Sequence, residues 1–339
     1  SPDPMLDGID PAALHQKLAA TARPIKVALL DQTVLAGIGN IHATEALFRA
    51  GLGPDAKVTE PESVFAFRDH LTFLDKVIPE AHIKLGLREQ SASLATVQQA
   101  FTEKQGIKLY GEVVRNGKTV GSEAICHNKV IEELALPGQV VAGTDSHTCM
   151  GGALGCFAFG VGSTDMANAW LTRDVRVAVP ESARFNLHGE LRPGVTAKDV
   201  MLHLLSQPFW KGGEGIGKVL EFAGSGVQRM SLDERATLTN MAVEAGGFTG
   251  IIEADEVVVD YLVKQRGLDA DAVRALIVRA DEGASYMATF DVDLATLEPM
   301  VATPGDPRNG VALSALPGEV KIDVAYGGSC TGGKKADMD

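Results

Sequence analysis

The stretch from Val140 to Asp165, VVAGTDSHTCMGGALGCFAFGVGSTD, places reactive side chains between an apolar run and a glycine-rich run. The apolar run QVVAG is typical of a buried strand, and the glycines that follow predict the entry to a helix. Ligands in open α/β sheets bind at the carboxyl ends of strands, which is where Asp145, Ser146 and His147 lie. The glycines would let a cofactor or another chain segment come close. The alternative is a hydrogen-bonded turn beside tight packing.

The composition limits the classes of protein that this chain can belong to. Its 339 residues, 45% hydrophobic and 22% charged, predict a soluble globular protein with two or three domains. No apolar run approaches the length of a membrane span, and the first ten residues lack the features of a signal peptide. Four cysteines in so long a chain favour a reducing, cytoplasmic location. The net charge of −13 argues against broad attraction to nucleic acid.

Strands alternate with helices from about residue 56 onward. The predicted strands are SVFAF (63–67), QVVAG (139–143), VRVAVP (175–180) and EVKIDVAYGG (319–328), and the predicted helices include TDMANAWLTRDV (164–175) and AKDVMLHLLSQ (197–207). This order favours an α/β fold with a largely parallel sheet. The predicted domains are a helical segment 1–55, α/β domains 56–190 and 191–310, and the start of a third domain, 311–339.

Four further candidate sites each give only weak evidence of function when taken alone. Asp69 and His70 are adjacent after a strand, and a carboxylate can hold an imidazole in one tautomer, but one such dipeptide is more often a surface accident. His127 alone is typical of a structural histidine. Asn240 and Glu244 are four apart, hence on one helix face that faces either a site or solvent. Cys330 in GGSCTGG lies on a loop whose backbone amides favour a thiolate and metal or cluster ligation.

Taken together and in this order, RDHL, CHN, GTDSHT with GALGCFAFGVG, NMAVEAG and GGSCT resemble the aconitase superfamily over about residues 56–339. The superfamily includes aconitase, homoaconitase and the large subunit of 3-isopropylmalate dehydratase. The resemblance implies three-layer α/β/α domains and a hydro-lyase that acts on a hydroxy di- or tricarboxylate. It also implies a [4Fe–4S] cluster with one iron that is not bound by cysteine and acts on the substrate as a Lewis acid.

The resemblance also implies a role for each matching residue. In the family pattern, Asp69 and His70 handle the proton of the leaving hydroxyl, and His127 works with Asp145. The loop that faces the substrate and the cluster is completed by Ser146 and His147. Asn240 lies near the cluster, Glu244 bonds to the iron-bound water, and Cys330 is the first of three cluster cysteines. The other two cysteines and the last domain, with its serine base, have no counterpart here. Gly332 replaces the asparagine of the family's GSCTN signature. We therefore expect an incomplete large subunit, with a small subunit supplying the last domain.

Residues 1–55 instead resemble the helix–two-turn–helix region of formamidopyrimidine-DNA glycosylase. The resemblance implies that Asn40, in GIGNI, binds a DNA phosphate and that Lys26 lies close by. The glycosylase's catalytic N-terminal residues and zinc finger have no counterpart. Residues 1–57 contain five basic and six acidic residues, so we expect weak or no DNA binding. The two resemblances join between about residues 46 and 60.

Three functional hypotheses follow. The first is a hydro-lyase or part of one. The alternative is a DNA-binding helix–two-turn–helix fragment fused to an inactive aconitase-like scaffold. The third is a degenerate fragment with neither activity.

Overall fold

The computed structural model describes residues 57–68, 70, 87–329, 332 and 333, together with Gln16. The chain divides into two compact units, Ser1–Ser63 with Ala167–Asp174, and Val64–Met166 with Val175–Asp339. Among the candidate residues, Lys26, Asn40, Asp69 and Cys330 lie outside the described residues.

The described elements alternate as the sequence predicts. The α-helices are α1 (Leu87–Gln105), α2 (Cys126–Lys129), α3 (Ser163–Thr172), α4 (Ala197–Leu205), α5 (Pro208–Lys211), α6 (Ser225–Arg229), α7 (Leu232–Asn240), α8 (Glu256–Arg266) and α9 (Ala270–Arg274). The strands are β1 (Phe65–Phe67), β2 (Lys108–Tyr110), β3 (Glu112–Arg115), β4 (Lys118–Ser122), β5 (Val140–Gly143), β6 (Phe157–Gly160), β7 (Ser182–His188), β8 (Val219–Ala223), β9 (Thr249–Ile252), β10 (Ala288–Asp293), β11 (Met300–Ala302) and β12 (Gly310–Ala312). Short 3₁₀ helices span Pro61–Ser63, Ser146–Leu154, Leu294–Thr296 and Leu313–Ala315, and a π-helical turn spans Val130–Leu134. Among the residues that the structure describes, no helix is both long and apolar enough to cross a membrane.

The larger unit is built on a four-stranded parallel sheet in the order β10–β7–β8–β9. Phe185 of β7 pairs in register with Phe290 and Phe222 on the neighbouring strands, and its ring stacks on Phe290 with centroids 5.1 Å apart. Burial of these rings contributes strongly to the core because aromatic side chains remove a large apolar area from water. The predicted α/β class with a parallel sheet is confirmed.

Strands β5 and β6 form a separate parallel pair that leads into the candidate loop. The loop continues as the 3₁₀ helix Ser146–Leu154, which ends at Gly155 with φ +76°. A side chain on Gly152 would overlap the carbonyl oxygen of Gly250 in β9. The predicted close approach of backbone is therefore made by another segment of the chain.

Several predicted elements are confirmed and two are wrong. The strands at SVFAF and QVVAG and the helices at 164–175 and 197–207 form within one to three residues of their predicted ends. Residues 175–180 and 319–328 are described and form no strand. None of the strands that the structure describes pairs with either segment, and their apolar side chains stay in solvent: Val179 is 95% exposed, Val324 is 83% exposed and Tyr326 is 89% exposed. The nearby strand β7 begins instead at Ser182, which pairs with Val219.

The structure also bears on the predicted domain boundary at residue 190 and on the predicted helix face of Asn240 and Glu244. Strands on both sides of the predicted boundary at residue 190 belong to the one sheet, because β7 lies between β8 and β10. The predicted common helix face of Asn240 and Glu244 is wrong, since α7 ends at Asn240 and Glu244 lies in the turn that follows. In this turn the backbone hydrogen bonds change to the shorter spacing of a 3₁₀ helix, because the Ala242 amide donates to the carbonyl of Thr239, three residues before it.

Candidate active site

The site begins with Asp145, which follows β5 and caps the 3₁₀ helix. Its backbone is extended, and its Oδ1 accepts a hydrogen bond of 2.8 Å from the amide of His147. The Thr148 hydroxyl donates to the Asp145 carbonyl at 2.7 Å. Short polar side chains are favoured at such caps because they satisfy amides that have no helical partner. The cap therefore fixes the direction of the Asp145 carboxylate.

Three histidines surround this carboxylate. His70 Nε2 lies 3.2 Å from Asp145 Oδ2, His127 Nε2 lies 3.6 Å from Oδ1, and His147 Nδ1 lies 3.3 Å from Oδ1. The histidine rings meet edge to face, with centroids 5.0 Å apart for His70 and His127 and 5.7 Å apart for His127 and His147. The sequence-predicted His70, His127, Asp145 and His147 are thus brought together.

His70 has a defined proton arrangement. Its Nδ1 lies 3.1 Å from the carbonyl oxygen of Ala124, and a carbonyl can only accept. Nδ1 therefore carries the proton, and in the neutral ring Nε2 presents a lone pair. That Nε2 lies 3.2 Å from His127 Nε2 and can exchange a proton with it.

His127 is held by the segment on which it lies. It is 2% exposed at the second residue of α2, and the π-helical turn Val130–Leu134 follows directly. The Arg266 guanidinium supports this turn by donating to the carbonyls of Glu132 at 2.8 Å and Ala135 at 2.7 Å. These bonds satisfy backbone carbonyls that the irregular helix leaves open.

Burial and charge give the site groups different protonation states. Burial lowers the pKa of His127 to about 4, against the attraction of Asp145, so this ring is neutral at pH 7. Burial by itself would raise the pKa of Asp145, but the His147 amide and the neighbouring imidazoles outweigh it and hold that pKa below its ordinary value. Asp145 is therefore ionised at pH 7.

Glu244 extends the site on the other side of His147. Its Oε1 lies 3.0 Å from His147 Nε2, and this hydrogen bond raises the pKa of His147 above its ordinary value. The other oxygen, Oε2, is buried and has no hydrogen-bond partner among the described residues. An unsatisfied buried carboxylate oxygen is costly, and a ligand hydroxyl or water would satisfy it.

Ser146 and Asn240 differ in their surroundings. Ser146 is exposed, with its Oγ 3.4 Å from His147 Nδ1. Asn240 is fully buried, and its Nδ2 lies 3.5 Å from Met150 Sδ. The structure thus places Ser146 at the histidine group and Asn240 in the core beneath the loop.

Sequence reasoning assigned no role to Cys126, although it precedes His127 directly. Its Sγ lies 3.5 Å from His127 Nδ1 and 3.9 Å from His70 Nε2. The sequence feature that could have indicated Cys126 is the adjacent thiol and imidazole, Cys126 and His127, in ICHNKV.

The described thiols do not provide the ligands of a [4Fe–4S] cluster. Cys149 Sγ donates to the Asn240 carbonyl and Cys156 Sγ to the Leu136 carbonyl. Burial raises the pKa of both thiols to about 12, whereas cluster ligands are thiolates. Of the described thiols only Cys126 lies at the histidine group.

Comparison with known proteins places the chain in a family. The model of the aconitase family (aconitate hydratase) matches residues 22–319. The chain belongs to the aconitase family. The match begins inside segment 1–55, and the resemblance of that segment to a glycosylase stays a prediction.

Three aconitase-family relatives illustrate the similarity. The 3-isopropylmalate dehydratase large subunit 1 of Pyrococcus furiosus is 39% identical over 284 residues, covering 83% of this chain and 61% of the relative. The probable 3-isopropylmalate dehydratase large subunit of Methanothermobacter thermautotrophicus is 36% identical over 293 residues, covering 86% and 62%. The methanogen homoaconitase large subunit of Methanocaldococcus jannaschii is 37% identical over 254 residues, covering 74% and 57%. The chain thus spans about three fifths of the length of these relatives.

Proposed function

We propose that this chain provides the acid–base part of a hydro-lyase site that adds and removes water on a hydroxy di- or tricarboxylate. One observation carries the proposal: three imidazoles and two carboxylates form a single network from His70 through His127, Asp145 and His147 to Glu244. Dehydration needs groups that protonate the leaving hydroxyl and return the proton during hydration.

His70 is proposed to deliver the proton to the leaving hydroxyl. Its Nδ1–H is held by the Ala124 carbonyl, so only Nε2 exchanges a proton, and the ionised Asp145 stabilises the ring when it is charged. As the carbon–oxygen bond breaks, this proton converts the hydroxyl into water, and His70 returns to its neutral form. Asp69 is proposed to assist His70, as the family pattern implies.

His147 and Glu244 are proposed to hold the oxygen end of the substrate. The hydrogen bond to Glu244 raises the pKa of His147, which favours the charged ring, and that ring could offer positive charge to a substrate carboxylate. Glu244 Oε2 is proposed to accept a hydrogen bond from the substrate hydroxyl or the departing water. Ser146 and Asn240 are proposed to support this loop.

The cofactor belongs to the same proposal. When bound, a [4Fe–4S] cluster of this family supplies a Lewis acid to the substrate, and Cys330 is its proposed ligand. The described residues do not supply the remaining thiolates, so the steps above use only side chains of this chain.

The relatives' names support a proposal for the substrate class and the partner. Relatives named 3-isopropylmalate dehydratase and homoaconitase large subunits favour isopropylmalate or homocitrate. A small subunit is proposed to supply the domain that carries the serine base of the family pattern.

The proposal is tested by ligand binding to the purified chain. Histidine ring signals in NMR spectra are followed during titration with isopropylmalate, homocitrate, citrate and, as a control, acetate. We expect one hydroxy acid to shift the signals of His70, His127 and His147 and to leave the exposed His188 unchanged. Glu244→Gln should weaken binding at least 10-fold. Equal shifts at His188, or no shift at the three site histidines with any hydroxy acid, would refute the proposal.

A further inference from the structure

Four side chains of different chemistry converge beside Asp145. One ligand atom from each of His70, Cys126, His127 and Asp145 lies within 4.8 Å of the other three. We propose that these residues form a mononuclear site for one divalent transition-metal ion of the Zn²⁺ class. This site is separate in chemistry from the iron–sulfur cluster, because it uses one thiolate rather than three.

The distances between the nitrogen and oxygen atoms are close to the edges of a tetrahedron around such an ion, and the sulfur lies slightly further out. Bonds of about 2.0–2.1 Å to nitrogen and oxygen and about 2.3 Å to sulfur give edges of about 3.3–3.4 Å between nitrogen or oxygen atoms, and about 3.6 Å from sulfur to nitrogen. The observed edges are 3.2 Å between His70 Nε2 and His127 Nε2, and 3.2 Å between His70 Nε2 and Asp145 Oδ2. His127 Nε2 lies 3.6 Å from Asp145 Oδ1, and Cys126 Sγ lies 3.9 Å from each Nε2. Cys126 Sγ lies closer to His127 Nδ1, at 3.5 Å, so a turn of the Cys126 side chain toward the two Nε2 atoms, together with a turn of the Asp145 carboxylate that presents one oxygen to both, would complete the tetrahedron.

His70 is oriented as a metal ligand. Metal-binding histidines nearly always donate their second ring N–H to a carbonyl or carboxylate, and His70 Nδ1 does so to Ala124 at 3.1 Å. Its Nε2 lies 3.2 Å from His127 Nε2, 3.2 Å from Asp145 Oδ2 and 3.9 Å from Cys126 Sγ, whereas one lone pair satisfies a single hydrogen bond. An ion at the centre satisfies all of these contacts together.

The donor set defines the class of ion. One thiolate, two imidazoles and one carboxylate suit Zn²⁺ and Co²⁺, whereas Mg²⁺ and Ca²⁺ prefer oxygen ligands only. The ion would take the lone pair that His70 needs for the proposed proton transfer. Zn²⁺ and the reaction therefore compete for the same residues, and the bound ion is an inhibitor of the proposed dehydration.

The test uses cobalt as a spectroscopic probe. The purified chain is treated with chelator and titrated anaerobically with Co²⁺. We expect one ion per chain, strong visible bands of tetrahedral Co²⁺ and a near-ultraviolet band from thiolate-to-cobalt charge transfer. One equivalent of Zn²⁺ should remove these bands by displacing Co²⁺.

Matched variants identify the thiolate. Cys126→Ser should abolish the charge-transfer band and weaken Co²⁺ binding at least 10-fold, with circular dichroism showing that the fold is kept. Cys149→Ser and Cys330→Ser should leave the band in place. Absence of uptake, octahedral bands, or a band that survives Cys126→Ser would overturn the proposal. The experiment needs no substrate or partner, so its result is independent of whether the proposed dehydration occurs.

Discussion

His147 Nε2 lies 3.0 Å from Glu244 Oε1, although the two residues are 97 positions apart in the chain. The contact joins the 3₁₀ helix after β5 to the turn after α7, so folding of the larger unit is what creates it. The hydrogen bond from Glu244 raises the pKa of His147. A histidine with a raised pKa in the folded state contributes stability below its unfolded pKa, and the contribution is lost as the pH rises through the folded pKa.

The first prediction follows from this sign. Glu244→Gln should lower the free energy of unfolding most below about pH 6.5, and the difference from wild type should shrink as the pH rises. Because both side chains are about one third exposed, we expect a loss of about 1 kcal/mol or less. Urea denaturation at several pH values measures it, with the exposed Glu282→Gln as control. A difference that grows with pH would contradict the assignment.

His127 should show the opposite dependence. Burial lowers its pKa to about 4, so the unfolded state binds more protons than the folded state between about pH 4 and 6.5. Its contribution to stability is complete above about pH 6.5 and declines as the pH falls. In His127→Gln, the loss of unfolding free energy on going from pH 7 to pH 4.5 should be smaller than in wild type by on the order of 2 kcal/mol. Parallel urea titrations at pH 7 and pH 4.5 compare the two proteins, and an equal acid sensitivity would refute the prediction.

The loop glycines give a third prediction. Gly152→Ala would place a methyl group against the Gly250 carbonyl of β9, a contact between two backbone segments that cannot move apart cheaply. We expect a loss of about 3 kcal/mol or an unfolded product, measured by thermal and urea denaturation. Gly121→Ala is the matched control, because its added methyl meets no atom within 4 Å. Equal stability of the two variants would show that the loop packs differently.

The sequence predicted the class of the fold because the class depends on local signals. The site residues came from the family resemblance, and their roles stay predictions. Buried strands such as QVVAG carry their own apolar pattern. Asp145 and His70, however, follow strands of two separate sheets, β5–β6 and β1–β2, so the tertiary fold rather than a shared sheet edge brings them within 3.2 Å. The apolar alternation at 319–328 gave a false strand because a strand also needs a partner, and no local pattern shows whether one exists. Cys126 was missed for a similar reason, since its role depends on His70, 56 positions away.

The fourth prediction concerns nucleic acid. Segment 1–55 resembles a DNA-binding motif, yet residues 1–57 carry a net charge of −1 by their acidic and basic residues, and phosphate binding relies on clustered positive charge. We expect an abasic-site duplex at about 150 mM salt to bind at roughly micromolar to 100 micromolar dissociation constants, without glycosylase cleavage. Fluorescence anisotropy measures the binding. Nanomolar affinity that Asn40→Ala removes would instead support the helix–two-turn–helix hypothesis.

The last prediction concerns the cluster. A [4Fe–4S] centre with one open iron needs three thiolates, and the chain has four cysteines. Two of them, Cys149 and Cys156, are buried, hydrogen-bonded to carbonyl oxygens and raised in pKa to about 12, so each would have to leave the core to bind iron. That leaves Cys126, whose thiol lies beside His70 and His127, and Cys330.

Anaerobic reconstitution of this chain with iron and sulfide should therefore give far fewer than about four irons per chain and no dehydration of citrate, isopropylmalate or homocitrate. A stable complement of about four irons, with visible absorbance lost in Cys330→Ser, would show that the buried thiols become ligands and that the loop rearranges when the cluster forms.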